Sequence, residues 1–258
     1  MSLTGIPDIE RLVLLRLPYR DLLAACTSTT VVNVYCQDDW FWHDKVATDF
    51  GPVVNYKPEG MSYRRQYQDL NTIIELRVMN YAEAARDKRS DLLIAMAMLG
   101  LFGAAQYPED IANEVARFGL LDALQWFAQY NVYPTESGVL EAAANGHLPV
   151  LQWMEQTRQM LPDVDGLDSA ATTGHLPILQ WAAQRGLFPS VYGANGAAYN
   201  NLVPVLDFLA QHNILPDGGG ADLALHNGSR EALDWMLQRG INPLGRSIQY
   251  YRDQGLIE

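Results

Sequence analysis

AANGHLPVLQW (residues 143–153) has a near copy in TTGHLPILQW (172–181), so that Gly146 and Gly174 hold equivalent places. The register extends in both directions. Gly119, Gly146, Gly174, Asn201 and Gly228 recur at a nearly constant step of about 27 residues, the range in which a sequence period marks a repeat architecture. Trp126, Trp153, Trp181, Phe208 and Trp235 keep the same steps, and Pro134, Pro162, Pro189, Pro216 and Pro243 follow them closely. Three columns in phase mark an internal repeat, which reads as a stack of supersecondary units over residues 111–258.

Each column has a physical task. Gly or Asn between two short apolar-periodic segments supplies the left-handed backbone that ends a helix and lets the chain reverse. Pro149, Pro177 and Pro204 stand shortly after the hinge, where a missing N–H costs nothing in the first turn of a second helix. Ile178, Leu179, Trp181 and Ala182 give that helix one apolar stripe. It closes at Asn131, Gly186, Asn213 and Gly240; Arg158 departs from the pattern, and the extra residue of that repeat predicts an irregular loop over 160–165. Ala142-Ala143, Ala170-Ala171 and Ala197-Ala198 let first helices approach closely. The aromatic column is expected to form a continuous inter-repeat core, so Trp181→Ala should cost about 3–5 kcal/mol in urea unfolding. Gly255 lies one further step beyond Gly228 and predicts a last, capping helix over 247–254. Upstream, 71–110 reads as a degenerate capping helix pair.

The two quoted strings resemble the ankyrin motif, in which two alanines and two free positions precede Gly-His and an apolar helix. The chain departs from the common form in its shorter period and in having Gly138, Gly166, Gly193 and Gly220 where that family opens each repeat differently. The resemblance implies an all-α, ankyrin-like helix-turn-helix solenoid, with the free positions before each hinge facing a target protein. Those positions are Arg117, Phe118, Ala144, Asn145, Thr172, Thr173, Tyr199, Asn200, His226 and Asn227. Their variety beside uniform columns suits recognition, and solvated polar positions would look the same.

Residues 1–50 read as three short helices, at 9–17, 19–28 and about 31–35, the last leading into Trp40-Phe41-Trp42. Pro7 and Pro18 punctuate them, and Leu12, Leu15, Leu22 and Leu23 can form a small core. The order Ile6-Pro7, a leucine-rich helix, Leu17-Pro18-Tyr19-Arg20-Asp21-Leu22-Leu23 and Asp38-Asp39-Trp40-Phe41-Trp42 resembles an F-box. Ile9 stands where that family has an acidic residue. The resemblance implies docking on a Skp-type linker of a cullin–RING ubiquitin ligase, through or supported by Pro7, Leu12, Leu17, Leu22, Leu23 and Trp42. Residues 51–70 read as a linker and a short helix at 62–67. An F-box-like module ahead of short ankyrin-like repeats is similar to proteins abundant in giant DNA viruses of amoebae. The competing reading is a scaffolding solenoid whose N-terminal helices only cap the repeats.

With 30 acidic and 18 basic residues the net charge is -12, the wrong sign for phosphate backbones, so nucleic acid and anionic membrane are expected not to be partners. A basic target protein is favoured. Cys26 and Cys36 are expected to be free and packed, implying a reducing setting, cytoplasmic or nuclear. There is no secretory leader pattern, and the apolar run 92–103 is short of the roughly 18 residues of a membrane span. The only lysines are Lys45, Lys57 and Lys88. Coding bias is the plain cause; in a ligase adaptor a lysine-free array would also escape self-modification.

Candidate chemistry is sparse. His147 and His175 fall in one repeat column, so the repeat accounts for them without a metal. Asp163-Val164-Asp165-Gly166 lacks the glutamate a calcium loop needs, and Gly218-Gly219-Gly220 lacks the lysine of a phosphate loop. Cys26, Cys36 and His43 show no activating arrangement. No catalysis and no cofactor are expected.

Overall fold

The structure, a computed structural model, describes residues 7–28, 35–57, 59–76, 81–98 and 108–244. The predicted third helix over 31–35 falls largely outside these residues, as does the capping helix over 247–254 and parts of the expected cap at 71–110. All regular structure among the described residues is helical. The chain divides into two compact units, 1–107 with 122–131, and 108–121 with 132–258.

The first unit contains α1 (Pro7–Arg16), α2 (Tyr19–Ser28), α3 (Asp39–Phe50), α4 (Tyr63–Leu76), α5 (Tyr81–Arg86) and α6 (Ser90–Met98). Trp40-Phe41-Trp42 lies in the first turns of α3, capped by Asp38, which accepts from the Trp40 amide. The segment expected as linker holds a 3-10 turn at Gly51–Tyr56 with Val53 and Val54 buried, and the short helix is the start of the 14-residue α4. Phe41, Trp42, Val46, Tyr67 and Leu70 fill one core with Leu14 and Leu22. Lys45 is buried among them. Its ammonium donates to the carbonyls of Leu15 and Leu17, both at 2.8 Å, and lies 2.7 Å from Asp49, so it caps the end of α1. Arg89 pairs with Asp69 (2.7 Å) and the fully buried Asp91 (2.8 Å). Burial opposes its charge, but Asp91 and then Asp69 outweigh that and raise its pKa.

The cysteines require a correction. Cys26 and Cys36 are joined in a disulfide, their Cα atoms 5.9 Å apart, so neither is a free packed thiol. The end of α2 and the turn before α3 bring the two together, and the Trp42 indole fixes that turn by donating to the Cys36 carbonyl (2.9 Å). The inference of a reducing setting from unpaired cysteines falls with them.

In the second unit α7 (Pro108–Arg117) begins a regular series; α8 (Leu121–Ala128) belongs with the first unit. First helices α9 (Glu136–Ala144), α11 (Val164–Thr173), α13 (Val191–Tyr199) and α15 (Gly218–Asn227) alternate with second helices α10 (Leu148–Arg158), α12 (Leu176–Ala183), α14 (Val203–Gln211) and α16 (Arg230–Leu237). First helices α7 to α15 pack closely along the stack, while second helices touch one another far less. The array is an all-α solenoid of helix-turn-helix repeats.

The hinge column works as its residue types demand. Gly119, Gly146, Gly174, Asn201 and Gly228 all have φ between 59 and 87°. At Gly174 the following amide of His175 reaches back to Ala170 O (2.8 Å) and the Gly174 amide to Ala171 O (3.3 Å), the paired bonds of a Schellman ending. Gly146 has a second constraint: a Cβ there would lie 2.6 Å from the His175 ring.

The second helices end at Asn131, Gln159, Gly186, Asn213 and Gly240, all with positive φ. Gln159, not Arg158, is therefore the column member. The extra residue sits between Trp153 and Gln159, a wider interval than that from Trp181 to Gly186, so it lengthens α10 to 11 residues. The loop over 160–165 keeps the standard spacing to Pro162 and is not irregular. The aromatic column forms the expected core in part and not continuously. The dry interior is made by Val150, Leu151 and Met154, Ile178, Leu179 and Ala182, and Val205, Leu206 and Leu209. Trp126, Trp181 and Trp235 are buried, while Trp153 and Phe208 are half-exposed, so the aromatic column is interrupted at two of its five positions. Arg185 and Arg239 lie over Trp181 and Trp235, 4.5 and 3.8 Å from the ring centroids.

Candidate binding surface

The first helices carry the candidate face. One set of side chains on them is committed to joining repeats. Asn113 accepts from the Thr135 amide (2.8 Å), Asp168 from Ser190 (2.6 Å), Asn195 from Asp217 (2.9 Å) and Asp222 from Leu244 (3.3 Å). These acceptors are separated by one repeat step or by two, a polar column that the reading of Gly, Trp and Pro columns missed. Its signal was Asp or Asn at a fixed place ahead of each hinge, interrupted by Leu140. The adjacent glycines serve the same approach: a Cβ at Gly138 would lie 3.0 Å from Asn113 Cα, and one at Gly193 would lie 2.9 Å from Asp168 Cα.

The free positions before the hinges divide into two classes. Thr173 donates to Ala144 O (3.0 Å), Asn200 to Thr172 O (2.8 Å) and Asn227 to Tyr199 O (2.7 Å), each a carbonyl of the preceding repeat. Asn145 instead bonds back to Glu141 O (2.8 Å) in its own helix. Phe118 is half-buried, with the Arg117 guanidinium 5.7 Å from its ring. The other member of each pair points out. Arg117, Tyr199 and His226 are exposed, and Ala144 and Thr172 are half-exposed. His226 Nδ1 sits 2.8 Å from Asp222 O. With the residues one and two helical turns earlier they make one stripe. It runs from Asp110, Glu114 and Arg117 through Ser137, Glu141 and Asp165 to Tyr192, Gly196, Tyr199, Gly219 and Leu223. Acidic side chains dominate one end and aromatic and apolar ones the other. His175, in the column suggested by sequence, places Nε2 3.1 Å from Ala144 O. Among the described residues no group of three metal-ligating side chains is placed to hold an ion.

Asp217 sits at the apolar end as the cap of α15. The Gly220 amide, with the Asn195 side chain and the Gly219 amide, outweighs partial burial and holds its carboxyl below the usual carboxylate range.

In the first unit the candidates separate by burial. Leu22 and Trp42 are fully buried, Leu17 and Leu23 half-buried, and Leu12 57% exposed; Pro7 opens α1. Val13 (48%) and Trp40 (65%) are exposed too and were not singled out from sequence. Leu12-Val13-Leu14-Leu15 is the missed signal, since four consecutive helical residues cannot all face one core. Arg11 links α1 to α3 by donating to Trp40 O (3.3 Å) and Asp44 (2.6 Å).

No protein-family model matches the chain, neither F-box nor ankyrin, and no curated protein matches it. Among solved structures it is similar to the crystal structure of the pentatricopeptide repeat protein PPR10 in complex with an 18-nt psaJ RNA element. The likeness has a TM-score of 0.34 at 13% identity, and covers 90% of this chain and 38% of that one. The chain thus spans well under half of that relative's length. The expectation that nucleic acid is no partner is withdrawn beside this finding: that structure is an RNA complex, and the exclusion had rested on net charge alone. A net charge summed over a chain does not decide what one face of a solenoid binds. The likeness assigns no ligand to this chain. Among the described residues no helix is long and apolar enough to cross a membrane.

Proposed function

We propose that the chain is a non-catalytic protein-binding adaptor. The stripe on its first helices captures a target protein, and its N-terminal unit engages a Skp-type linker of a cullin–RING ubiquitin ligase. The observation that carries the first part is the division of labour along the first helices. Buried columns stack the repeats and one polar column ties them together, so the outward stripe is left to vary: acidic at one end, aromatic at the other. The second part rests on the F-box resemblance and on Leu12, Val13 and Trp40, large apolar side chains left at the surface of a unit whose core is already filled.

Calorimetric titration of the full chain with a purified eukaryotic Skp-type linker tests the ligase link. Leu12→Asp is the proper control because Leu12 is exposed; Leu22→Asp would bury a charge and unfold the unit. Binding abolished by Leu12→Asp with an unchanged melting curve supports the adaptor. No binding by the folded wild-type chain overturns the ligase link and leaves a scaffolding solenoid.

A further inference from the structure

Between α13 and α15 the stripe opens into a groove with Tyr192, Tyr199 and Leu223 as walls and Gly196 and Gly219 between them, beside Asp217. Tyr192 is 77% exposed, Leu223 47% and Tyr199 41%, a local density of large exposed side chains found nowhere else on the array's described first helices. Gly196 has a packing reason, since a Cβ there would overlap the Thr172 side chain. Gly219 has none of that kind. Among the described residues the one atom near its would-be Cβ is Oδ1 of its own helix cap, Asp217, at 3.1 Å, and the same column elsewhere holds Asp110, Ser137, Asp165 and Tyr192. A glycine in a helix is a stability cost, and this one keeps the groove floor open.

Charge decides the occupant. The α15 N-terminus does not offer itself to an anion, because Asp217 already takes the Gly220 amide, and among the described residues the groove lining includes no cationic side chain. Asp217 contributes a negative charge, the two tyrosines contribute π-faces, and Leu223 contributes an apolar edge. Farther along the stripe lie Asp165 and, both paired with Arg117 at 3.7 and 3.8 Å, Glu141 and Glu114. We propose that this groove docks a basic peptide segment of the target protein, an Arg or Lys side chain seated between Tyr192 and Tyr199 beside Asp217 with a neighbouring apolar side chain against Leu223. This deepens, and rests on, the reading of the first-helix stripe as the target-binding face. Guanidinium or ammonium over tyrosine and opposite a carboxylate is favourable on each count, and the acidic stripe attracts the rest of a cationic segment.

The probe is a phage-displayed library of random nonapeptides selected on the full chain, with the recovered peptides resynthesised for titration. Selection should enrich Arg or Lys next to a large apolar residue. Tyr192→Ala should weaken those peptides about fivefold and Tyr199→Ala about tenfold. Gly219→Gln, which fills the floor without a charge, should weaken them as well, and replacing the peptide's basic residue by Glu should abolish binding. Tyr192 is too exposed for its loss to unfold the array, and a melting curve checks the other variants. Enriched peptides that ignore the groove variants but respond to Thr172→Arg or Arg117→Glu would overturn the groove while leaving the target-binding face standing. Enrichment of acidic peptides, or no enrichment together with groove-dependent binding of a labelled oligouridine, would overturn both.

Discussion

Lys45 in the N-terminal unit and Asn195 in the repeat array are both buried polar side chains that hold backbone of another segment, yet only Asn195 belongs to a series. Lys45 alone caps α1, through two carbonyls and a carboxylate. Asn195 accepts from the Asp217 amide and donates to the Asp217 side chain (2.9 and 3.0 Å), and Asn113, Asp168 and Asp222 repeat the first of these bonds in other repeats. An aperiodic core concentrates stability in single residues, whereas a solenoid spreads it over equivalent interfaces. Lys45→Ala should therefore give the largest effect, about 3–5 kcal/mol, because two carbonyls lose their buried donor, the packed lysine stem is removed, and Asp49 keeps only the Tyr67 hydroxyl. In urea it should shift only the transition of the N-terminal unit; an unchanged midpoint would refute the capping role. Asn195→Ala should cost about 1–3 kcal/mol, the penalty of an unmade buried bond, and should loosen the α13–α15 junction first in hydrogen exchange.

The same contrast governs what could be read from the sequence. Hinges, repeat period and second-helix stops were legible because each depends on a local backbone requirement that recurs, and one glycine confirms the next. The shift of one residue at Gln159 was misplaced because a helix can absorb an insertion that sequence reading assigned to a loop. The aromatic column was legible as a column, but its exposure at Trp153 and Phe208 was not, since periodicity gives a residue's angle on its own helix and not which neighbour stands there. In the N-terminal unit nothing recurs. The disulfide, the Lys45 cap and the burial of Trp42 are each single, unrepeated arrangements, for which no one residue type is a signal. The candidate face was half legible: the variable pairs were found, but Thr173, Asn200 and Asn227 proved to bind the preceding repeat, while Tyr192, Gly219 and Leu223 lay outside the pairs considered.

Within the array, two tryptophans in one column sharpen the comparison. The Trp235 indole donates to Asp207 (2.7 Å), whereas the buried Trp181 indole N–H has no hydrogen-bond partner among the described residues. Replacement by Phe removes similar apolar area at both sites. At 235 it also breaks a bond to a carboxylate; at 181 it removes an orphaned donor. Trp235→Phe should be the more destabilising by about 2 kcal/mol, read from paired urea titrations, and equal losses would show that Trp181 is satisfied in solution.

Leu140 is the one described break in the polar column, and the geometry registers it. The would-be Cβ of Gly166 lies 3.6 Å from Leu140 Cα, against 3.0 Å at Gly138 with Asn113 and 2.9 Å at Gly193 with Asp168. First helices joined by the side-chain-to-amide bond sit closer than the pair that lacks it. Leu140→Asn supplies an acceptor for the Asp163 amide at the place its counterparts occupy. The half-exposed leucine gives up little apolar burial in exchange, so the variant should gain about 0.5–1 kcal/mol. The wider gap also predicts that Gly166→Ala is tolerated in the natural chain, where Gly193→Ala is not. In the Leu140→Asn background Gly166→Ala should become destabilising as the helices close. If the two substitutions are additive in urea unfolding, the polar column does not set the helix spacing, and the shorter distances at Gly138 and Gly193 have another cause.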